Sequence, residues 1–237
     1  MTTTRTIRFA CIDSDALPLF AKSTDGVTRT GYEASVAELL CNKLGVKFEW
    51  LMMPWEDMIP SVRSGETDAV LCGQGVIPER QALVDFTEPY TIFNETLVVR
   101  EGITLTPESD YTGYKIGAIA GSTNMKLAET FKGAELVPFG SSDDVFQDMI
   151  DATRSGQIHG FVDDDVVMIP LAQEAEDLSE AFTVKTANRW AIGVKPGNQA
   201  LLDELNGALA EAIADGSLKQ IWDQWLSPLE FPFTESE

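Results

Sequence analysis

A nine-residue segment of this sequence occurs twice, once in each half of the chain. DMIPSVRSG at 57–65 returns as DMIDATRSG at 148–156, with six identical positions. An apolar run follows each copy, at 69–71 and at 160–162. The pattern predicts a helix that ends before a glycine, with an arginine in its last turn, followed by a buried strand. Two widely separated copies indicate two similar α/β lobes rather than a solenoid, whose repeats are shorter and more numerous.

Glycines or acidic residues follow each of these predicted strands. Gly73 and Gly75 come after the first strand, and Asp163, Asp164 and Asp165 end the second. In open α/β sheets, ligands bind beyond the carboxyl ends of the strands. We therefore expect a ligand cleft between the two lobes, bordered by these two sets of residues.

The composition excludes several classes of partner. Acidic residues outnumber basic residues by 38 to 17, which gives a net charge of −21. Nucleic acid and anionic membrane surfaces repel such a chain, so neither is expected as a partner. No apolar run approaches the ~18 residues that span a bilayer, and the start MTTTRTIRFA lacks the apolar segment of a secretory signal. An exported protein would have lost its leader, although a cytoplasmic protein would begin in the same way.

No cofactor or metal is expected from the potential metal ligands. Cys11, Cys41 and Cys72 lie far apart without metal-type spacing, which favours three buried thiols and leaves one disulfide as an alternative. The acidic run 163–165 could hold a cation, but successive strand residues point to opposite faces, which disfavours a metal site. His159 is the single histidine. Without partners for a catalytic triad, we interpret it as structural.

Several residues could bind a small charged ligand, and most have a plainer interpretation. Arg80 offers a guanidinium fork to a carboxylate, or it pairs with Glu79 or another nearby acid. Hydroxyls and amides at 121–123, before a predicted helix, suit an anion but also suit ordinary N-capping. Trp55 could stack on a ligand or lie in the core. The Asp164 carboxylate could bind an ammonium group, while the two aspartates that flank it are expected to be solvated.

Taken in order, the motifs of this chain resemble those of the extracellular solute-binding proteins of ABC importers, in the amino-acid-binding class (family 3 type). The resemblance covers residues 7–225, nearly the whole chain. Its markers are Gly31-Tyr32-Glu33, Trp55-Glu56-Asp57-Met58-Ile59-Pro60, Ser64-Gly65-Glu66-Thr67-Asp68-Ala69, Pro78-Glu79-Arg80, Asp85-Phe86-Thr87-Glu88-Pro89-Tyr90, Ala120-Gly121-Ser122-Thr123, and the Asp-Gly-Ser-Leu before Trp222. The order and spacing of these motifs together are specific.

The resemblance implies an α/β fold of the two-lobed, periplasmic-binding-protein-like type II. Each lobe would be a mixed sheet flanked by helices, and a two-strand hinge would join them. Lobe 1 would comprise residues 1–98 and 191–237, and lobe 2 residues 99–190. The resemblance further implies a monomeric, periplasmic or extracellular receptor, not an enzyme. It would capture an amino acid or a derivative and deliver it to an ABC permease in the membrane.

The resemblance also implies roles for particular residues. Arg80 would bind the α-carboxylate of the ligand from lobe 1, Thr123 would assist from lobe 2, and Asp164 would bind the α-ammonium. Trp55 would line the side-chain pocket. A zwitterion needs a positive fork and a negative group on opposite sides, and lobe closure would exclude water and strengthen both contacts. The expected ligand-binding set also contains Asp13, Asp15, Leu17, Gly73, Gly75, Gly121, Ser122 and Asn124.

Some positions depart from the family pattern. Gly73, Gly75 and Ile77 stand where serine or threonine is usual, so hydroxyl contacts are lost, although the N–H of Gly75 could still serve. Leu17 replaces the usual aromatic residue. Asp13 or Asp15 could reach the distal end of the ligand and favour a polar or cationic side chain.

Two other functions stay open at this point. Some relatives of this fold are cyclohexadienyl dehydratases, which need a placed general acid, and no lysine or histidine stands among the candidate residues. The second alternative is a ligand-sensing domain of a larger receptor. Genetic linkage to a kinase-type membrane protein would favour that alternative.

Overall fold

The computed structural model describes residues 5–140, 142, 144–227 and 229–233. In chain order the elements are β1 (Thr6–Cys11), α1 (Tyr32–Leu44), β2 (Lys47–Met52), α2 (Trp55–Ser64), β3 (Ala69–Val70), α3 (Pro78–Gln81), β4 (Asp85–Arg100), β5 (Lys115–Ile119), α4 (Thr123–Ala128), β6 (Glu135–Phe139), α5 (Val145–Ser155), β7 (Gly160–Asp164), α6 (Asp165–Glu174), β8 (Leu178–Val194), α7 (Gln199–Ala214) and α8 (Ser217–Trp225). The chain folds as two compact units, Met1–Ile92 with Arg189–Glu237, and Phe93–Asn188.

The chain passes from one unit to the other inside its two longest strands. In β4 the first unit ends at Ile92 and the second begins at Phe93, and in β8 the chain returns between Asn188 and Arg189. The lobe boundaries expected from the sequence, after 98 and after 190, fall in the same two strands.

Both of these strands are longer than the sequence pattern predicts. Apolar runs predict strands at 95–100 and 189–194, whereas β4 begins at Asp85 and β8 begins at Leu178. The additional strand residues alternate irregularly between polar and apolar side chains, so period-two patterning does not reveal them.

In the first unit, β1 lies between two other strands. It pairs in parallel with β2 and β3, and β3 pairs antiparallel with the C-terminal part of β8. Phe9 is opposite Trp50 in one ladder and Ala69 in the other, and it is fully buried, as a central strand covered on both faces requires. The carboxyl ends of β1 and β3 lead into the loops that carry Asp13 and Gly73.

The two copies of the repeated segment form α2 and α5, and this prediction is confirmed in both. Gly65 and Gly156 follow the helices with φ angles of 88° and 80°, a left-handed conformation that glycine adopts without steric cost. The shared methionines, Met58 and Met149, are fully buried. Each helix leads into a strand, β3 or β7, as the pattern predicts.

In the second unit, β5 pairs in parallel with β6 and β7, and β7 pairs antiparallel with the C-terminal part of β4. The rings of Tyr111 and Phe131 stack with their centroids 4.8 Å apart in the core of this unit. The core contains Leu97, Val99, Leu105, Tyr111, Ile116, Ala128, Phe131 and Val162. The carboxyl end of β5 leads into residues 120–124, and β7 ends at Asp164.

None of the helices in the described part of the chain combines the length and the apolar character needed to cross a bilayer. Cys11, Cys41 and Cys72 are buried and carry free thiols. Burial raises the pKa of the Cys11 thiol to about 12, which keeps it protonated and unreactive near neutral pH.

Candidate ligand-binding site

Arg80 lies in the short helix α3, which follows β3 after a seven-residue loop at 71–77. Pro78 occupies the first turn of this helix, where its missing N–H costs nothing. One guanidinium nitrogen, Nη1, donates to the carbonyl oxygen of Gly75 at 3.1 Å. The guanidinium carbon also lies 5.6 Å from the ring centroid of Trp55, within cation–π range. These two contacts hold the guanidinium in a fixed position beside an indole that is 42% exposed.

Gly73 is required by its surroundings, which explains the departure from serine or threonine at this position. Its φ is 57°, and a Cβ atom placed there would lie 3.3 Å from the ring of Trp190. Its N–H donates to Glu33 Oε1 at 2.7 Å, so this amide is not available to a ligand. A side chain at Gly73 would therefore be strained and would push against an indole.

Gly75 is tied to β8 by an isolated antiparallel bridge with Trp190. The amide of Val76 donates to the carbonyl of Arg189 at 2.8 Å, and the amide of Ala191 donates to the carbonyl of Gln74 at 3.1 Å. The bridge therefore uses the flanking amides rather than the N–H of Gly75. The carbonyl of Gly75 is the group that positions Arg80.

A buried network of side chains, which the sequence pattern does not indicate, supports this loop. Arg29 and Glu33 form an ion pair at 3.3 Å, with their side chains 1% and 0% exposed. The hydroxyl of Tyr90 donates to Glu33 Oε1 at 2.6 Å. The guanidinium of Arg29 lies over the Phe20 ring, 4.2 Å from its centroid. The only sequence signal was the i,i+4 spacing of the two charges, which usually indicates an exposed pair.

Asp13 and Asp15 lie in the loop after β1 and hydrogen-bond to the backbone. Asp13 Oδ1 accepts from the amide of Ser23 at 2.7 Å, and Asp15 Oδ1 accepts from the amide of Lys22 at 2.6 Å. Leu17, in the same loop, is 56% exposed. The two carboxylates therefore stabilise the conformation of this loop.

In the second unit, the segment from Gly121 to Asn124 follows β5 and begins α4. Ser122 is the N-cap: its hydroxyl accepts from the amide of Met125 at 3.0 Å and donates to the carbonyl of Ile119 at 2.7 Å. The plainer interpretation, N-capping, therefore describes the Ser122 side chain. Gly121 has a φ of 69°, and nothing lies within 4 Å of a Cβ placed there.

Thr123 and Asn124 are connected to the acidic end of β7. The hydroxyl of Thr123 donates to Asn124 Oδ1 at 3.0 Å and lies 3.4 Å from Asn188 Nδ2. Asn124 Nδ2 donates to Asp163 Oδ1 at 3.1 Å, and Asn124 is buried. Thr123 and Asp164 therefore lie near each other in the second unit, at the carboxyl ends of β5 and β7.

The expectation that Asp163 and Asp165 are solvated is wrong. Asp163, Asp164 and Asp165 are only 8%, 8% and 5% exposed. Asp163 is stabilised by Asn124 and by the amide of Asp164, at 2.8 Å, and Asp165 accepts from Asn94 at 3.1 Å. Strand alternation does not apply to Asp165, because β7 ends at Asp164 and Asp165 begins α6.

This acidic segment has unusual protonation energetics. Burial raises the pKa of Asp163 to about 6, and the charge of Glu95 adds to the effect. Burial and the charges of Asp163 and Glu95 raise the pKa of Asp164 well above its ordinary value. Asp164 Oδ1 is buried and has no hydrogen-bond partner among the described residues. Glu95, the cross-strand partner of Asp164, was missed because it lies inside a strand rather than at its end.

His159 has a structural role in the second unit. Its Nδ1 accepts from the amide of Lys115 at 2.9 Å, and its ring packs edge-on against Tyr114 with centroids 5.2 Å apart. Within the described residues, no group of histidines, cysteines and acidic side chains is arranged to hold a metal ion.

The model of the bacterial extracellular solute-binding proteins, family 3, matches residues 9–228 of this chain. The chain belongs to this family. The ABC transporter arginine-binding protein 1 of Escherichia coli (strain K12) is 30% identical to it over 201 residues, which cover 82% of this chain and 81% of that protein. The L-cystine-binding protein TcyJ of the same strain is 28% identical over 213 residues, covering 88% and 78% of the two chains. An ancestral arginine-binding protein bound to arginine has a similar structure, with a TM-score of 0.79, 28% identity and coverage of 93% and 98%.

The family assignment confirms the resemblance inferred from the motifs, and with it the role of a solute-binding receptor of an ABC transporter. The fold class is confirmed as well, since each unit of this solute-binding protein is a mixed α/β sheet flanked by helices and the structural relatives share the fold. These relatives are binding proteins by name, not enzymes.

Removing the charge of Glu33 should destabilise this solute-binding protein. Glu33→Gln leaves the buried guanidinium of Arg29 without its counter-charge, at a cost of roughly 2–3 kcal/mol in the free energy of unfolding. Urea denaturation measures this loss. Glu38→Gln is the matched control, because Glu38 is exposed on the same helix, and its effect should stay below about 0.5 kcal/mol. Equal stabilities of the two variants would contradict the structural role of the network.

The ligand-free protein should lose stability as the pH rises through the pKa of Asp163. The folded-state pKa of about 6 lies above the ordinary value of 3.8. Asp163 therefore stabilises the fold fully at pH values below its ordinary pKa. This contribution disappears at pH values above its folded-state pKa. Between about pH 5 and about pH 8 the loss should be roughly 1–2 kcal/mol. In Asp163→Asn the loss measured by urea unfolding should be smaller, and an unchanged pH dependence would count against the burial of a titrating acid.

Proposed function

We propose that this solute-binding protein binds an L-amino acid by the two charged ends of that ligand. Arg80 of the first unit binds the α-carboxylate, and Asp164 of the second unit binds the α-ammonium. The observation that carries the proposal is the buried carboxylate of Asp164, whose Oδ1 lacks a hydrogen-bond partner among the described residues. A buried carboxylate without a partner is costly, and a ligand cation removes that cost.

The carboxylate end of the ligand is matched by a positioned guanidinium. Gly75 and Trp55 hold Arg80 in place, and a planar guanidinium binds a carboxylate through two parallel hydrogen bonds. Thr123 contributes its hydroxyl from the second unit. The N–H of Gly73 already donates to Glu33, and a glycine offers no hydroxyl. The charge of Arg80 therefore contributes more to carboxylate binding than hydroxyl contacts do.

The side chain of the ligand is polar or cationic in this proposal, and L-arginine is the first candidate. Trp55 offers an exposed indole face to the ligand side chain, while Asp13 and Asp15 supply negative charge for its distal end. Glu33 does not contribute to this selection, because Arg29 neutralises it inside the protein. The similar arginine-binding and cystine-binding proteins support a ligand of this class.

The bound amino acid is delivered to an ABC permease, and the protein acts as a monomer outside the cytoplasmic membrane without catalysing a reaction. The alternative is a dehydratase-like enzyme, which receives support from one observation: the buried acids at 163 and 164 have raised pKa values and could serve as general acids. Incubation with prephenate and arogenate, followed by product analysis, tests this alternative. Turnover above the rate without protein would overturn the non-enzymatic assignment.

Thermal unfolding in the presence of the twenty standard L-amino acids tests the proposal. A ligand that binds only the folded protein stabilises it by about 2.7 kcal/mol at a hundredfold excess over its dissociation constant. We expect a clear rise in the unfolding midpoint with at least one polar or cationic amino acid. No shift with any of the twenty would overturn the amino-acid assignment.

A further inference from the structure

Glu95 is a second buried carboxylate without a full set of partners, next to the proposed ammonium site. It lies in β4 directly opposite Asp164 of β7. Residues that are directly opposite in an antiparallel ladder project their side chains to the same face of the sheet. Glu95 is 2% exposed, and its Oε1 accepts no hydrogen bond from the described residues. On one face of the sheet, the carboxylates of Glu95 and Asp164 therefore each have one oxygen without a hydrogen-bond partner among the described residues.

The side chains that border Glu95 connect it to the proposed site. Asn188, Thr123 and Thr186 lie beside its carboxylate and favour the charged form, while burial has the larger, opposite effect and raises the pKa of Glu95. Thr123, the first residue of α4, is one of these side chains, and we expect it to contact the ligand.

Among the residues that the structure describes, no cationic side chain forms an ion pair with Glu95 or Asp164. Asp163 is opposite Thr96 in the ladder, and Asn124 donates a hydrogen bond to its carboxylate. A metal ion is not indicated either, because no suitable group of ligands occurs in the described part of the chain. An organic ammonium group is the cation that fits.

We propose that Glu95 is a second acceptor for the ammonium group of the ligand, which lies between the carboxylates of Glu95 and Asp164. A primary ammonium has three N–H donors, enough for both carboxylates and the hydroxyl of Thr123. This inference rests on the proposed function, because it assigns a further residue to the ammonium end of an amino acid. It also predicts specificity: a 2-hydroxy acid, which has a hydroxyl in place of the ammonium, leaves two buried carboxylates unpaired.

The test compares wild-type protein with Glu95→Gln, which keeps the size of the side chain and removes its charge. Isothermal titration uses the twenty standard L-amino acids as probes, and then the tightest-binding one alongside its 2-hydroxy acid. We expect Glu95→Gln to bind the amino acid about 10-fold to 100-fold more weakly, while its affinity for the 2-hydroxy acid is unchanged or higher. Glu101→Gln, a change at an exposed glutamate of the same unit, is the control and should leave both affinities unchanged.

Far-UV circular dichroism and retained binding of the 2-hydroxy acid show that the variant is folded. If Glu95→Gln binds the amino acid as tightly as wild type, the assignment of Glu95 is overturned while the amino-acid function stands. If both ligands lose affinity equally, Glu95 supports the fold rather than the ammonium, and the assignment is also overturned. If wild-type protein binds none of the twenty amino acids, the proposed function itself fails and this inference fails with it.

Discussion

Replacing Arg80 with alanine is expected to weaken amino-acid binding by roughly 10²-fold to 10⁴-fold. The variant removes the guanidinium that Gly75 and Trp55 hold in place, and it leaves the ligand carboxylate desolvated without a counter-charge. Arg80→Lys should lose less, because it keeps the charge but not the planar fork that binds both carboxylate oxygens. Isothermal titration of the three proteins with the same amino acid measures the effect.

The control for this experiment is Arg63→Ala, which removes an exposed arginine from the last turn of α2 in the same unit. Its dissociation constant should match that of wild type. If Arg80→Ala also binds like wild type while both variants are folded, the carboxylate is bound elsewhere and the proposed orientation of the ligand is wrong.

The second large effect is expected at Asp164. Asp164→Asn removes the negative charge that the α-ammonium needs, and binding should weaken by roughly 10²-fold to 10³-fold. The same change should stabilise the ligand-free protein by about 1 kcal/mol, because Asp164 is buried beside the like charges of Asp163 and Glu95. Opposite signs in binding and stability distinguish a binding residue from a structural one. Titration and urea denaturation measure the two quantities.

Asp151→Asn is the matched control, since Asp151 is exposed on α5 of the same unit. Both its affinity and its stability should stay close to those of wild type. A loss of stability in Asp164→Asn, together with unchanged binding, would mean that Asp164 supports the fold and does not touch the ligand.

The architecture of this protein could be predicted because its local signals agree with its tertiary structure. The repeated helix endings at Gly65 and Gly156 required a left-handed glycine, and both glycines adopt it. The long strands β4 and β8 were only half predicted. They pass from one unit into the other, and the mixed burial along them obscures any regular alternation.

Only some of the charged residues of the candidate site could be predicted from the sequence. Asp164 ends β7, Arg80 lies in the short helix that follows β3, and both match the motifs of a family. Pattern and resemblance therefore pointed to the same positions. The roles of Glu95 and of the pair Arg29–Glu33 could not be predicted, because the sequence does not indicate which charged side chains become buried. Their burial depends on strand pairing and on helix packing, which only the folded chain shows.

Gly73 shows how a departure from a family pattern acquires a physical cause. From the sequence alone, this glycine indicates only that a hydroxyl contact is lost. In the structure it is a residue with positive φ that packs against the ring of Trp190 and donates its amide to Glu33. We therefore interpret the glycine as a consequence of the local packing.

The most direct test of binding through both charged ends is a comparison of three ligands on wild-type protein by isothermal titration. These are the tightest-binding L-amino acid, the amine that lacks its carboxylate, and the 2-hydroxy acid that lacks its ammonium; for L-arginine, the amine is agmatine. We predict that each analogue binds at least about a hundredfold more weakly than the amino acid, because each leaves a buried charge unpaired. An analogue that binds as tightly as the amino acid would contradict the pairing of Arg80 with the carboxylate or of Asp164 with the ammonium.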